Sequence, residues 1–181
     1  MKKLTVLLFV LFNSIFAFSQ ELKWETNLSK AIEVSNKTNK PMLLFFTGSD
    51  WCGWCIRLQN EVLKKPEFAA WATENVVLVE VDFPKRTPQS QELKVQNNDL
   101  QQAFGIQGYP TIWITNASYI DGKLNFDQLG KTGYVAGGTT AWLSGANDIL
   151  KNNKKAKTVE AKPAAVEKIQ KKQFRKKKKS A

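Results

Sequence analysis

The feature that most constrains this chain is a pair of cysteines, Cys52 and Cys55, lodged where an apolar run stops and a helical pattern begins. Met42 to Phe46 is continuously apolar, which reads as a buried strand. It leads through Thr47-Gly48-Ser49-Asp50 into Trp51-Cys52-Gly53-Trp54-Cys55, after which Cys55, Leu58, Val62 and Leu63 keep helical spacing as far as Pro66. Strand, short loop and helix are expected in that order. Cysteines at i and i+3 at a helix start lie on one face, the first at the N-terminus and the second a turn deeper. Free amide N–H groups and the positive helix end there favour a thiolate on Cys52. Such pairs can lower the first thiol's pKa from about 8.5 to roughly 3.5–7.5. Cys52 is then the attacking thiol and Cys55 the resolving one. Gly53, between them, lets a partner backbone approach. The alternatives are a structural staple and a metal ligand pair. A loop of about four residues restrains the unfolded chain by only roughly 2 kcal/mol, against about 4.7 for a 100-residue loop, so a staple would be better placed elsewhere.

The rest of the chain predicts an α/β domain. Leu28, Ala31 and Ile32 suit a short amphipathic helix ended by Lys40-Pro41, and Val76 to Val81 is a second buried strand. A polar stretch with Pro84 and Pro88 follows, and Asn98 is a candidate N-cap for a helix from Asp99 to Phe104, stopped by Gly105. Thr111 to Thr115 alternates, and Asp121-Gly122 is a hairpin signal between Tyr119-Ile120 and Lys123 to Phe126. Thr139 or Thr140 can cap a last helix through Leu150. The order α, β, α, β, α, β, β, α calls for a mixed sheet with helices on both faces.

Charge divides the chain. Of 27 Lys+Arg and 16 Asp+Glu, 13 and 2 fall in residues 151–181, which leaves 14 of each sign in residues 1–150. The net charge of +11 therefore belongs to the tail, where Arg175 to Lys179 are five consecutive cations. Such a block repels itself and is expected to be disordered and solvated, with an anionic membrane or envelope surface as its alternative partner. Residues 1–19, with Lys2 and Lys3 ahead of an apolar run and small residues at Ala17 and Ser19, read as a secretory signal peptide. The expected organisation is a leader over 1–19, a domain over 20–150 and a Lys-rich tail over 151–181. The expected location is extracytoplasmic, periplasmic or secreted, where disulfides persist and nucleic-acid partners are scarce. Histidine is absent, which removes imidazole bases and His metal sites. Two cysteines without His are too few soft ligands for a zinc site, so no metal and no cofactor is expected.

Phe45-Phe46-Thr47-Gly48-Ser49-Asp50-Trp51-Cys52-Gly53-Trp54-Cys55, followed by Gly108-Tyr109-Pro110-Thr111 before a strand, resembles the thioredoxin superfamily over about residues 22–150. The likeness is nearest to secreted thioredoxin-like proteins with a Trp-Cys-Gly-Trp-Cys signature. It implies a thioredoxin-like fold with the cysteines at a helix N-terminus. It also implies a cis Pro110 facing Cys52 and a Tyr109 backbone that pairs with substrate. Trp51 is weighed between packing the loop and contacting substrate; Trp54, lying between the cysteines, is the better candidate for an apolar contact with unfolded substrate. One departure stands out. Thioredoxins proper carry a buried Asp six positions before the first cysteine, where this chain has Phe46. Glu80 or Asp82 could substitute, against the ordinary reading of solvated carboxylates at a strand end.

The expected activity is thiol-disulfide exchange with protein substrates, served by a separate electron-donor or acceptor protein. The Gly-Trp dipeptide has neither the Pro of reducing thioredoxins nor the His of strong oxidants and isomerases; the missing His leans the reading towards disulfide reduction. The competing class is a non-enzymatic binding module that kept the fold. An intact cysteine pair favours the enzyme, since a binder needs neither thiol.

Overall fold

A computed structural model describes residues 22–120 and 123–160. The expected leader over 1–19, the Asp121-Gly122 hairpin signal and the tail beyond residue 160 lie outside the described residues. Helix α1 (Leu28–Thr38) starts at Asn27, whose side chain accepts from the Lys30 amide, and ends at Asn39 in the left-handed region. Strand β1 (Met42–Thr47) follows and is buried at all six positions. Helix α2 (Gly53–Leu58) runs without a break into a π-helical turn over Gln59–Leu63, and α3 (Pro66–Asn75) leads to β2 (Val77–Asp82). Helix α4 (Gln91–Ala103), strands β3 (Thr111–Ile120) and β4 (Lys123–Thr132), and helix α5 (Gly138–Glu160) complete the chain.

The sheet order is β2-β1-β3-β4, with β1 parallel to β2 and antiparallel to β3, and β3 antiparallel to β4. The fold is thioredoxin-like, with a mixed sheet covered on both faces. Alternation along β1 explains the covering. Leu43 and Phe45 join a cluster with Cys55, Leu58, Phe68 and Trp142, so α2, α3 and α5 pack on one face. Met42, Leu44 and Phe46 join Ala31, Ile32, Leu100 and Phe104, so α1 and α4 pack on the other. Outside β2, Glu25 forms an isolated parallel bridge with Val79 and occupies part of the edge.

Four expectations are corrected. Pro66 ends one helix and also begins another: it occupies the first turn of α3 after an extended Lys65, a position where its missing N–H costs nothing, and Phe68 and Ala72 bury one face. Helix α4 starts eight residues before the expected Asp99, with Ser90 as its cap and Asn98 well inside. Its first two turns are polar because only Asn97 and Leu100 are buried, and Asn97 is satisfied by donating to the Asp82 carbonyl at 2.9 Å. Strand β3 is ten residues, twice the alternating Thr111–Thr115 segment, and β4 is ten against the four expected from Lys123 to Phe126; a register shift between Ile114 and Thr115 breaks the period along the pair. Thr139 and Thr140 lie within the first turn of α5, and Thr139 instead donates to the Glu61 carbonyl at 3.1 Å.

Helix α5 also runs past Leu150 in contact with the sheet. Asn152 donates to the Leu129 carbonyl at 2.8 Å, and buried Asn153 accepts from the Asn116 amide at 3.0 Å. Truncation after Leu150 is expected to lower stability by about 1–3 kcal/mol, the worth of two such hydrogen bonds, whereas truncation after Asn153 keeps both. Thermal melts of the two truncated chains, run side by side, check this.

Candidate active site

The site begins where β1 ends. A strand buried on both faces has no surface of its own, so the first exposed chemistry lies in the loop that carries it into α2. Cys52 is the N-cap of α2, in extended backbone, and its sulfur accepts from the Cys55 amide at 3.2 Å. Cys55 lies one turn deeper. The two form a disulfide, with their Cα atoms 5.2 Å apart. Cys52 is 6% exposed and Cys55 is sealed at 0%, packed among Phe45, Leu58 and Val62. A Cβ placed on Gly53 would meet nothing within 4 Å, so the chain is open to solvent beside the disulfide.

Two carboxylates fix the loop before Cys52. Asp82, at the end of β2, accepts from the Ser49 amide at 2.8 Å and its hydroxyl at 2.5 Å. Asp50 accepts backbone N–H groups from Lys85 (2.9 Å), Arg86 (2.7 Å) and Thr87 (2.9 Å). These bonds, Lys85's foremost, hold its carboxyl down to about 2. The segment after β2 is thereby clamped to the cysteine loop. Trp51 completes the clamp: its indole donates to the Phe83 carbonyl at 2.7 Å and lies under the Lys85 ammonium, 4.2 Å from the ring centroid. Only glycine fits beneath it at position 48, because a Cβ there would fall inside the indole. Trp51 therefore packs the loop and still remains 37% exposed.

On the opposite side of the loop the Tyr109–Pro110 bond is cis. The Tyr109 ring meets Trp51 edge-on at 5.6 Å and Phe83 at 5.4 Å, and its hydroxyl accepts from Gln101 at 2.6 Å. Burial pushes the Tyr109 phenol above its ordinary value. Gly133 lies so close to Pro110 that a Cβ would come within 3.0 Å of the proline carbonyl. The next residue, Tyr134, packs with its ring tilted against Trp54, centroids 5.1 Å apart. A continuous ring of contacts thus runs from Trp51 through Tyr109, Pro110, Gly133 and Tyr134 to Trp54, and closes through Gly53 and Cys52. The structure brings together all seven residues singled out from the sequence. It adds Asp50, Lys85, Gly133 and Tyr134, which sequence reasoning missed.

The carboxylate question resolves differently for its two candidates. Phe46, at the position of the thioredoxin Asp, faces away from the cysteines and packs on Phe104 at 5.8 Å. Asp82 is a loop anchor. Glu80 pairs in register with Phe45, which puts it on the cysteine face of the sheet, partly buried. Burial, and then the nearby Asp82 charge, push its carboxyl above the ordinary carboxylate range.

A family model for the thioredoxin-like domain matches residues 28–134. The chain belongs to the thioredoxin-like family. It is 38% identical over 130 residues to the disulfide bond reductase DsbH of Chlamydia pneumoniae, covering 72% of this chain and 74% of that one. It is 35% identical over 92 residues to the thioredoxin-related protein DsbJ of the same organism, of which it spans 26%. A solved DsbH oxidoreductase structure superimposes with a TM-score of 0.63 at 37% identity, over 72% of this chain and 85% of that one. A Thermus thermophilus thioredoxin, at 14% identity and a TM-score of 0.53, shares the fold. With its cysteine pair intact on that fold, this thioredoxin-like protein is a thiol-disulfide oxidoreductase.

Two outcomes follow from the carboxylates. Asp50→Ala should release the Lys85–Thr87 backbone, so trypsin should cut after Lys85 or Arg86 faster than in the parent; equal rates would deny the clamp. Glu80 keeps its proton to higher pH in the folded chain than in the unfolded one, so stability is lost as pH rises through that window. Glu80→Gln should therefore melt higher than the parent at pH 7 and together with it below about pH 4, where both forms are neutral.

Proposed function

We propose that this oxidoreductase works outside the cytoplasm and reduces disulfides in protein clients, with Cys52 as nucleophile and Cys55 as resolving thiol. The observation that carries the reading is the asymmetry of the pair: Cys52 has the exposure and the N–H donor at its sulfur, and Cys55 has neither opening nor route to a client. In the reduced enzyme that N–H and the helix start favour a Cys52 thiolate. The thiolate attacks one client sulfur, forming a Cys52–client disulfide and releasing the other client sulfur as a thiolate that takes a proton. Cys55 then loses its proton and attacks the Cys52 sulfur. The mixed disulfide breaks, the second client sulfur leaves as a thiol, and Cys52–Cys55 is oxidised by the two electrons the client gained. A separate donor protein must return those electrons. Trp51, Gly53, Trp54, Tyr109 and Pro110 line the place where the client strand lies, with Gly53 as its opening.

The leader pattern of residues 1–19 supports the location, and the absence of His beside the pair supports the direction. Cys55→Ser is expected to accumulate mixed disulfides with clients, seen on non-reducing gels, while Cys52→Ser accumulates none. Trapping by neither variant would return the chain to a binding role. Equilibration of the parent with glutathione tests the direction: a pair that stays oxidised against a large excess of reduced glutathione is a reductant.

A further inference from the structure

The proposal concerns the Trp54 wall of the ring and rests on the disulfide-exchange reading above. Trp54 is 55% exposed, far more than a core aromatic, and yet three side chains hold it in place. Tyr134 packs against it in a tilted arrangement, ring centroids 5.1 Å apart. The Arg57 guanidinium lies 5.3 Å from the Trp54 centroid and 5.0 Å from that of Tyr134, so it caps both rings. Glu61 ties the pair together: it accepts from Arg57 Nε at 2.7 Å and from the Tyr134 hydroxyl at 2.6 Å. Glu61 is itself fixed, since it sits in the π-helical turn and its carbonyl accepts from Thr139 at the start of α5. A lone exposed indole would sample several rotamers and lose that freedom on binding. Here much of the ordering is already done in the free protein.

We infer that Tyr134, Glu61 and Arg57 are positioning residues that hold the open face of Trp54 beside Cys52, so that the enzyme selects clients with a bulky apolar side chain next to the attacked cysteine. The side of Trp54 turned to Arg57 and Tyr134 is occupied. The rest of the indole, next to the open Gly53, meets no other ring or cation among the described residues. A leucine or phenylalanine beside a client cysteine would cover it, whereas a serine would leave it wet. Selection by one such contact is worth about tenfold or more in kcat/KM.

The test uses the full protein and two disulfide-linked peptides, identical except for leucine or serine beside each cysteine. The parent should prefer the leucine peptide by about tenfold, chiefly through KM. Trp54→Ala and Tyr134→Ala should each bring the ratio close to one, and the double variant should be no worse than Trp54→Ala alone, because Tyr134 acts through the indole. Tyr134→Phe keeps the ring and loses only the bond to Glu61, so it should fold as the parent does and retain part of the preference. Its difference emission against the same chain carrying Trp54→Phe should be shifted to the red. Additive losses in the double variant, or an unchanged ratio in Tyr134→Ala, would overturn the positioning role. Equal use of both peptides by the parent would overturn the client preference. Reduction of neither peptide by the parent would instead sink the exchange reading beneath it.

Discussion

Everything at the site depends on β1 being buried on both faces. Six consecutive residues with no exposed side chain cannot carry chemistry, and their backbone groups are consumed by β2 and β3. The strand acts as a rigid post, and the loop at its carboxyl end inherits its position. The cysteine loop is then held from both sides of the same end of the sheet. Asp82 from β2 grips Ser49, and the Tyr109–Pro110 turn ahead of β3 presses on Trp51. A disulfide exchanger needs this rigidity at Cys52, since the entering, central and leaving sulfurs must line up. It needs it less at Cys55, which packing holds in place.

The exposed aromatics follow from the same arrangement. A loop at the end of a sheet has little apolar surface to hide beneath, so Trp51 and Trp54 stay partly in water and are fixed by partners that tolerate water. Each has a cation on its ring, Lys85 for Trp51 and Arg57 for Trp54; Trp51 also donates to the Phe83 carbonyl, and Trp54 packs on Tyr134, whose hydroxyl is bonded to Glu61. Cation–aromatic contacts of about 0.5–1 kcal/mol at exposed sites hold a rotamer without burying it. That combination suits a surface that must be ordered before the client arrives and still be reachable.

Much of this was legible in the sequence, and the limits have physical causes. β1 and the cysteine helix were plain because burial on both faces leaves an unbroken apolar run and the cysteines mark the helix start. Pro110 was legible because Gly108-Tyr109-Pro110-Thr111 stands next to a strand. Helix α4 was not, since only Asn97 and Leu100 among its thirteen residues are buried and a buried asparagine looks like a loop residue until its partner, the Asp82 carbonyl, is known. Tyr134 gave no signal at all. It follows β4 by two residues and lies 24 positions beyond Pro110, and only the β3–β4 hairpin brings it back to the helix that starts at Cys52. Arg57 and Glu61 did carry one, an i, i+4 pair, but that spacing ordinarily marks a solvated helix face.

The missing thioredoxin carboxylate shows why position in a motif and position in space must be kept apart. Counting six residues back from Cys52 reaches Phe46, which lies on the far face of the sheet among Ala31, Leu100 and Phe104. An acid placed there would be buried against helices α1 and α4, away from either sulfur. The acid on the cysteine face comes instead from the neighbouring strand, at Glu80, paired across the ladder with Phe45. Its raised affinity for a proton follows from burial beside an apolar cluster and the fixed negative charge of Asp82. Asp82 cannot take the same part, because its oxygens already hold Ser49 and with it the approach to Cys52. One carboxylate of β2 thus serves the loop's geometry while the other is left free to titrate, a division of labour set by their positions along one face of the strand and by which group has hydrogen-bond donors within reach.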